Sequence, residues 1–460
     1  VCLIASAGYC AYSVYRSIAN YNQFNVITQL SDYPENPIDF PVVTYCNSNP
    51  FTTQYGLNYS KSFLANENIT DLLNATLIES FFNHSDIQEI VNLYIARSVV
   101  SRAAMQLNDT EKQKMGYSMQ MSLVMCAFGN QPCDPRSFVW HYESLYGNCF
   151  KFNTGADTQG NPFPKYQTLK TGKINGLFLI LTAGTFSDVY TLGYESGMQL
   201  FIHNMSTAPS SVDSVALKPG SITYVAVKKI FTQKQPDPYN DCVDDLTVDK
   251  YDNIFYRKTF DSGYKYEQRN CLDLCAQSYM IDKCKCADAA YPTLNNVPYC
   301  KSVLDIICLY LRLVDFYKSS EFSQCYTYCP LECASLKFET KVSSTSFPHE
   351  SLGSLMTNNK WNQDRFSYLN LTMTPENMEK ALVGVYVYFD DNKYTLISQS
   401  PAQSLEDLMS NVGGILGLYI GVSFLSFVEL FELFFQFIFL VIRHNSSKIA
   451  TANQSNANKI

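Results

Sequence analysis

One apolar run near the C-terminus constrains this chain more than any other feature. From Val412 to Ile442 it reads VGGILGLYIGVSFLSFVELFELFFQFIFLVI, with Glu429 and Glu432 its only charges. As a single helix rising about 1.5 Å per residue it would be roughly 46 Å long, well beyond a hydrocarbon core of about 30 Å. Such a helix tilts steeply, projects above the bilayer, or breaks. Arg443, His444 and Lys448 follow at once, which suits a cytoplasmic end. At the other end, VCLIASAGYCAYSVY offers fifteen uncharged residues before Arg16. The chain opens without Met or a basic leader, so this segment is expected to be the remainder of a membrane helix and not a signal-peptide core.

Between these ends the chain has the marks of an oxidising compartment. Of its 16 cysteines, Cys2 and Cys10 lie in the first apolar segment; the other fourteen lie between Cys46 and Cys333, ten of them within 242–333. Zinc at Cys284-Lys-Cys286 or Cys271-x-x-x-Cys275 would need reduced thiols and usually histidine, and the five histidines sit elsewhere, so disulfides are expected and no metal or cofactor. N-x-S/T acceptors at Asn58, Asn68, Asn74, Asn83, Asn108, Asn204 and Asn370 point the same way. Two spans put both termini on one side. The cysteines and acceptors place 25–404 outside, so the termini are cytoplasmic and the expected location is the plasma membrane. The first span is 1–24, the second 405–443 and the tail 444–460. Charged residues make up only 17 %, against roughly 25 % in a soluble domain, which excludes disorder. A net charge of -8 argues against a nucleic-acid partner.

Periodicity gives a coarse α+β outline. Residues 61–125 read as helical, while strand-like runs fill 177–232 and return at 335–345 and 381–398, implying one nonlocal sheet. In a helix, Cys271 and Cys275 share a face one turn apart, as do Cys325, Cys329 and Cys333. An antiparallel helix pair would bring Cys271 to Cys329 and Cys275 to Cys325, leaving Cys242 for Cys333 and four cysteines to staple the far loop. The result is a two-helix lever, or simply a stabilised one.

Several motifs in fixed order resemble the degenerin/epithelial sodium channel family across essentially the whole chain. They are Phe40-Pro41-Val42-Val43-Thr44-x-Cys46-Asn47, Gly147-Asn148-Cys149-Phe150-Lys151-Phe152-Asn153, Pro238-Tyr239-x-x-Cys242, the ten-cysteine block, and Gly421-Val422-Ser423 ahead of Glu429-Leu430-Phe431-Glu432. The resemblance implies a homotrimer whose subunits each have two transmembrane helices and a large disulfide-rich ectodomain. That ectodomain would hold a β-sheet palm, a helical finger (about 50–125), a helical thumb (about 242–333), a β-ball and a knuckle. It implies the pairs Cys46–Cys149, Cys126–Cys133, Cys242–Cys333, Cys271–Cys329, Cys275–Cys325, Cys284–Cys308 and Cys286–Cys300. It also implies Na⁺ conduction and block by amiloride-type compounds.

Two readings of the second span stay open. Gly413, Gly417 and Gly421 recur every fourth residue, the pattern of tight helix packing. Alternatively the helix breaks at Gly421, Val422 and Ser423, and exposed carbonyls line a water-filled path as a narrow filter for Na⁺. Glu429 and Glu432, at i and i+3, would then concentrate cations beside it. For gating, acid-sensing relatives carry carboxylates just after the cysteine matching Cys308, where this chain has Leu309-Tyr310-Leu311-Arg312. The Cys325-x-x-x-Cys329 spacing resembles invertebrate FMRFamide (neuropeptide)-gated sodium channels. A peptide with Phe and Arg side chains would want aromatics beside a carboxylate, and the finger offers Phe81, Phe82, Asp86, Glu89, Asp109 and Glu111. An acid-sensing or constitutive sodium channel is the alternative, and a non-conducting two-pass receptor or adhesion subunit is the rival from another class. An enzyme is not expected: Gly193-Tyr194-Glu195-Ser196-Gly197 puts its serine one place late for a nucleophile elbow, and His349-Glu350 lacks the second histidine of a zinc protease motif.

Overall fold

The computed structural model describes residues 2–66, 85–184, 192–193, 195–205, 214–244, 246–248, 250–262, 265–291, 294, 297–358, 360, 363, 374–421, 428–429 and 431–440. The chain divides into two compact units. One comprises residues 1–29, 235–240 and 399–460, the other residues 30–234 and 241–398.

The larger unit is built on two β-sheets, not on the single sheet expected from the strand pattern. In chain order its strands are β1 (Val26–Pro34), β2 (Ile38–Asp39), β3 (Val42–Asn47), β4 (Leu123–Phe128), β5 (Gln131–Pro132), β6 (Phe138–Glu143), β7 (Gly147–Phe152), β8 (Gln167–Thr168), β9 (Leu177–Thr182), β10 (Met198–His203), β11 (Ser214–Leu217), β12 (Ser221–Gln233), β13 (Cys242–Val243), β14 (Leu331–Glu332), β15 (Ala334–Ser346) and β16 (Leu382–Pro401). The seven-stranded sheet runs β15-β12-β16-β9-β4-β5 with β1 also on β16; the five-stranded sheet runs β11-β10-β3-β7-β6. Period-2 alternation explains how they pack. Leu177, Leu179 and Leu181 on β9 and Val383, Val385 and Val387 on β16 join Val43, Tyr45, Phe150 and Phe152 of the smaller sheet in one core. The alternate residues Phe178 and Ile180 turn to the other face, where they meet Phe347, Met378 and Leu382. On that face Phe178, Tyr386 and Tyr224 stack in a row across β9, β16 and β12, with centroids 4.4 and 5.5 Å apart.

The motifs singled out in the sequence hold joints of this frame. Gly147 has φ 69°, and a Cβ there would come within 2.9 Å of Pro50. Next to it, Asn148 donates to the carbonyls of Gln113 and Gly116 at 2.9 and 3.0 Å and accepts from Trp140 Nε1 at 3.0 Å, tying β7 to the end of the 109–115 helix. Asn153 closes the same strand by donating to Phe40 O at 2.6 Å.

Around the sheets lie helices Gln54–Asn66, Ser85–Ala104 and Asp109–Met115, then Ile254–Thr259, Gln268–Cys284, Val303–Tyr317 and Ser320–Tyr328. Two expectations are corrected. The helical reading of 61–125 stops short, since residues 123–128 form β4. And Cys333 is not a third rung on a helix: the Ser320–Tyr328 helix ends at Cys329, because Pro330 cannot continue it. Cys333 sits instead between β14 and β15, where its bond to Cys242 secures the short parallel pair β13–β14.

In the smaller unit the helices Cys2–Tyr21 and Leu405–Ile420 pack together. Ser6 Oγ donates to Tyr419 O at 2.8 Å, the rings of Tyr9 and Tyr419 lie 5.2 Å apart, and Cys10 is buried. The turn 235–240 belongs here too: Asn240 Nδ2 donates to Gln399 Oε1 at 2.9 Å, and Tyr239 meets Phe24 edge-on at 5.6 Å. Among the described residues no helix is long and apolar enough to cross a membrane.

Candidate functional site

The 405–420 helix starts on a capping box. Ser404 Oγ accepts from Asp407 N at 3.0 Å and Asp407 Oδ2 accepts from Ser404 N, so its first turn is firmly set. It ends at Ile420, because Gly421 turns left-handed (φ 73°, ψ 15°) and its N–H returns to Gly417 O at 3.2 Å. An added Cβ at Gly413 or Gly421 would meet no atom within 4 Å. Among the described residues neither glycine packs against another side chain, and of the two Gly421 shows a backbone requirement. Val422 and Ser423 lie outside the described residues. Helix resumes at 428–429 and 431–440. Glu429 and Glu432 are both exposed, and Glu432 Oε1 accepts from Gln436 Nε2 at 3.1 Å. Around them Phe431, Phe434, Phe435, Phe437 and Phe439 are all more than half exposed, forming an apolar surface.

Of the peptide-pocket candidates, Phe81 and Phe82 lie outside the described residues, and Asp86 and Glu89 fall in the 85–104 helix with only their backbone described. Asp109 and Glu111 occupy the first turn of the 109–115 helix. Glu111 accepts from Asn108 Nδ2 at 2.9 Å and Asp109 pairs loosely with Lys112 at 3.7 Å. Tyr59 is not among these candidates. Its ring stacks on Phe63 at 6.1 Å, and burial, then the charges of Tyr55 and Glu111, push its hydroxyl up to about 12. An i, i+4 aromatic pair on a helix that also reads as polar was the available signal. Of the glycosylation candidates, Asn58 and Asn108 are exposed and Asn204 is half-buried; Asn68, Asn74, Asn83 and Asn370 lie outside the described residues.

Seven disulfides join Cys46 to Cys149, Cys126 to Cys133, Cys242 to Cys333, Cys271 to Cys329, Cys275 to Cys325, Cys284 to Cys308 and Cys286 to Cys300. These are the pairs implied by the resemblance. The ladder holds three helices, not two, because Cys308 lies within the 303–317 helix, which packs on 268–284. A joint that the sequence did not reveal links this block to the 85–104 helix. Arg102 Nε donates to both oxygens of Asp288 at 2.9 and 3.1 Å, and Gln106 Nε2 donates to Cys300 O at 2.8 Å. Leu309 is buried, and Arg312 is held by Asp315 at 2.7 Å.

One carboxyl in this block has an unusual proton affinity. Burial lifts Asp273 to about 6, with Arg269 opposing in part. An unfolded aspartate titrates at about 3.9, so the folded state holds this proton more tightly. Its ionisation therefore costs stability as pH rises through about 4 to 6, fully so above that window and not at all below it. Asp273→Asn is expected to raise stability at neutral pH by on the order of 2 kcal/mol and to change nothing below about pH 4. Thermal unfolding of both proteins at the two pH values checks this; a gain independent of pH would contradict it.

The sequence model of the Amiloride-sensitive sodium channel family matches residues 1–433. The Epithelial sodium channel subunit beta of Oryctolagus cuniculus is 27% identical over 376 residues, covering 79% of this chain and 54% of that protein. Subunit gamma of Neoceratodus forsteri is 29% identical over 342 residues, covering 73% and 49%. The Bile acid-sensitive ion channel of Homo sapiens is 23% identical over 437 residues, covering 95% and 80%. The chain spans about half the length of the epithelial sodium channel subunits it matches.

Proposed function

This chain belongs to the amiloride-sensitive sodium channel family, and on that premise we propose that it forms an amiloride-sensitive, Na⁺-conducting homotrimer in the plasma membrane, opened by an extracellular FMRFamide-like neuropeptide. The observation that carries the pore is the left-handed Gly421 in the middle of the apolar run. A helix interrupted at membrane depth leaves carbonyls unpaired, and these are tolerable only along a water-filled path. Three copies of Gly421, Val422 and Ser423 would ring that path with oxygens, with Glu429 and Glu432 below concentrating cations. The rings of 431–440 would face lipid.

For gating, the peptide reading is supported by the 54–66 helix, where half-buried Tyr59 stacks on Phe63 and feels the charge of Glu111. It is also supported by the buried Leu309 where acid sensors have a carboxylate. A peptide opens the pore only if it binds the open state more tightly than the shut one. The second reading, opening by acid, has Asp273 in its favour, a group poised near pH 6 in the disulfide-rich block. Applying micromolar FMRFamide and a step to about pH 5 to the same cell separates them. A peptide-evoked current with little response to acid is expected; a large acid current with silence to the peptide would reverse the assignment.

A further inference from the structure

The 2–21 helix, where it packs on the 405–420 helix, carries a polar stripe outside the proposed filter. Arg16 is the only charged residue before Asp32. It is exposed, and among the described residues no carboxylate lies within ion-pairing distance of it. Tyr9, Tyr12, Arg16 and Asn20 recur at helical spacing on one face and, with Gln403 and Ile415, line a groove of about 280 Å³. Asn20 and Gln403 also line an adjoining cavity of about 300 Å³ whose walls include Tyr21, Phe24 and Tyr239. The rings of Tyr21 and Phe24 lie 6.1 Å apart, those of Phe24 and Tyr239 5.6 Å.

From the helix middle outward, the order is an aromatic and aliphatic wall, one cation, two amides, then an aromatic cup. A phospholipid of the outer leaflet has the same order of polarity: acyl chain, phosphate, quaternary ammonium. A guanidinium takes phosphate with two charge-assisted hydrogen bonds, and a quaternary ammonium settles on aromatic faces. We propose that this groove binds the phosphocholine headgroup of an outer-leaflet phospholipid, phosphate on Arg16 and ammonium in the cup of Tyr21, Phe24 and Tyr239. The site rests on the reading that these two helices lie in a bilayer with Tyr21 towards the outside. If Arg16 merely snorkelled to the interface, headgroup chemistry would not matter.

The test uses the full chain reconstituted in nanodiscs and transferred to detergent, with retained lipid counted by native mass spectrometry. The probes are dioleoylphosphatidylcholine, dioleoylphosphatidylglycerol, dioleoylglycerol and soluble phosphocholine. Phosphatidylcholine is expected to be retained about tenfold over dioleoylglycerol, with phosphatidylglycerol between. Arg16→Gln should lower phosphatidylcholine retention about tenfold, the loss of a charge-assisted contact, and Arg16→Lys should restore part of it, which a misfolded variant could not do. Tyr21→Leu should lower phosphatidylcholine towards phosphatidylglycerol and leave the latter unchanged. Equal retention of phosphatidylcholine and dioleoylglycerol, unchanged retention in Arg16→Gln, or equal binding of soluble phosphocholine would each overturn the site. Because the readout is bound lipid, Arg16-dependent retention without any Na⁺ current would sink the channel reading and leave this one standing.

Discussion

Replacing Arg102 with alanine is expected to cost about 3–5 kcal/mol of folding stability, far more than a surface ion pair is worth. The reason is the position of its partner. The Asp288 side chain is 1% exposed, while that of Arg102 is 18% exposed. Besides Arg102, Asp288 Oδ1 accepts from Ala290 N at 2.9 Å, and its backbone is pinned both ways to the Gln277 amide. Deleting the guanidinium leaves a buried carboxylate with no counter-charge. Adding Asp288→Asn should recover most of the loss, because the cost lies in the orphaned charge and not in the missing contact. Denaturant unfolding of the two single variants and the double variant gives the coupling directly. A loss below about 1 kcal/mol for Arg102→Ala would show the pair to be solvated and energetically minor.

The second large effect concerns the ladder. Cys271–Cys329 and Cys275–Cys325 close loops of 58 and 50 residues. Removing one rung leaves its neighbour holding the helices together, so each alone should cost about 3 kcal/mol; removing both leaves only the wider Cys242–Cys333 closure around them and should cost about 6 kcal/mol. The double removal is therefore expected to abolish folding and surface delivery, with single removals giving reduced amounts of folded protein. Peptide mapping without reduction checks the pairing. Free or zinc-bound thiols at these four positions would remove the basis for both figures.

These two joints also mark what a sequence of this kind reveals. The helix–helix rungs were legible because Cys271 and Cys275, and Cys325 and Cys329, each share one helix face by spacing alone. Cys333 was misplaced because its helix stops at Pro330, a local signal outweighed by the four-residue rhythm. The Arg102–Asp288 pair was not legible: its partners are 186 residues apart, and nothing local distinguishes Arg102 from other cations on a polar helix. The second sheet was missed for a similar reason. Strand β3 reads as a strand on its own, but only its pairing with β7 and β10, at long separations, sets it against the larger sheet. Gly421 was half legible. The excess length of the run favours a break there over the packing that Gly413 and Gly417 also suggest, but the left-handed φ at Gly421 is a backbone feature that sequence does not display.

Reversal potentials in paired Na⁺ and K⁺ solutions probe the proposed filter at Gly421–Ser423. Cells expressing the chain should carry a current that reverses far more positive in Na⁺ than in K⁺, as a narrow ring of oxygens suited to a small, partly dehydrated ion requires. Ser423→Phe, delivered to the surface in normal amount, should abolish that current or collapse the difference between the two ions. Full current with unchanged selectivity in Ser423→Phe would contradict a constriction at Gly421–Ser423.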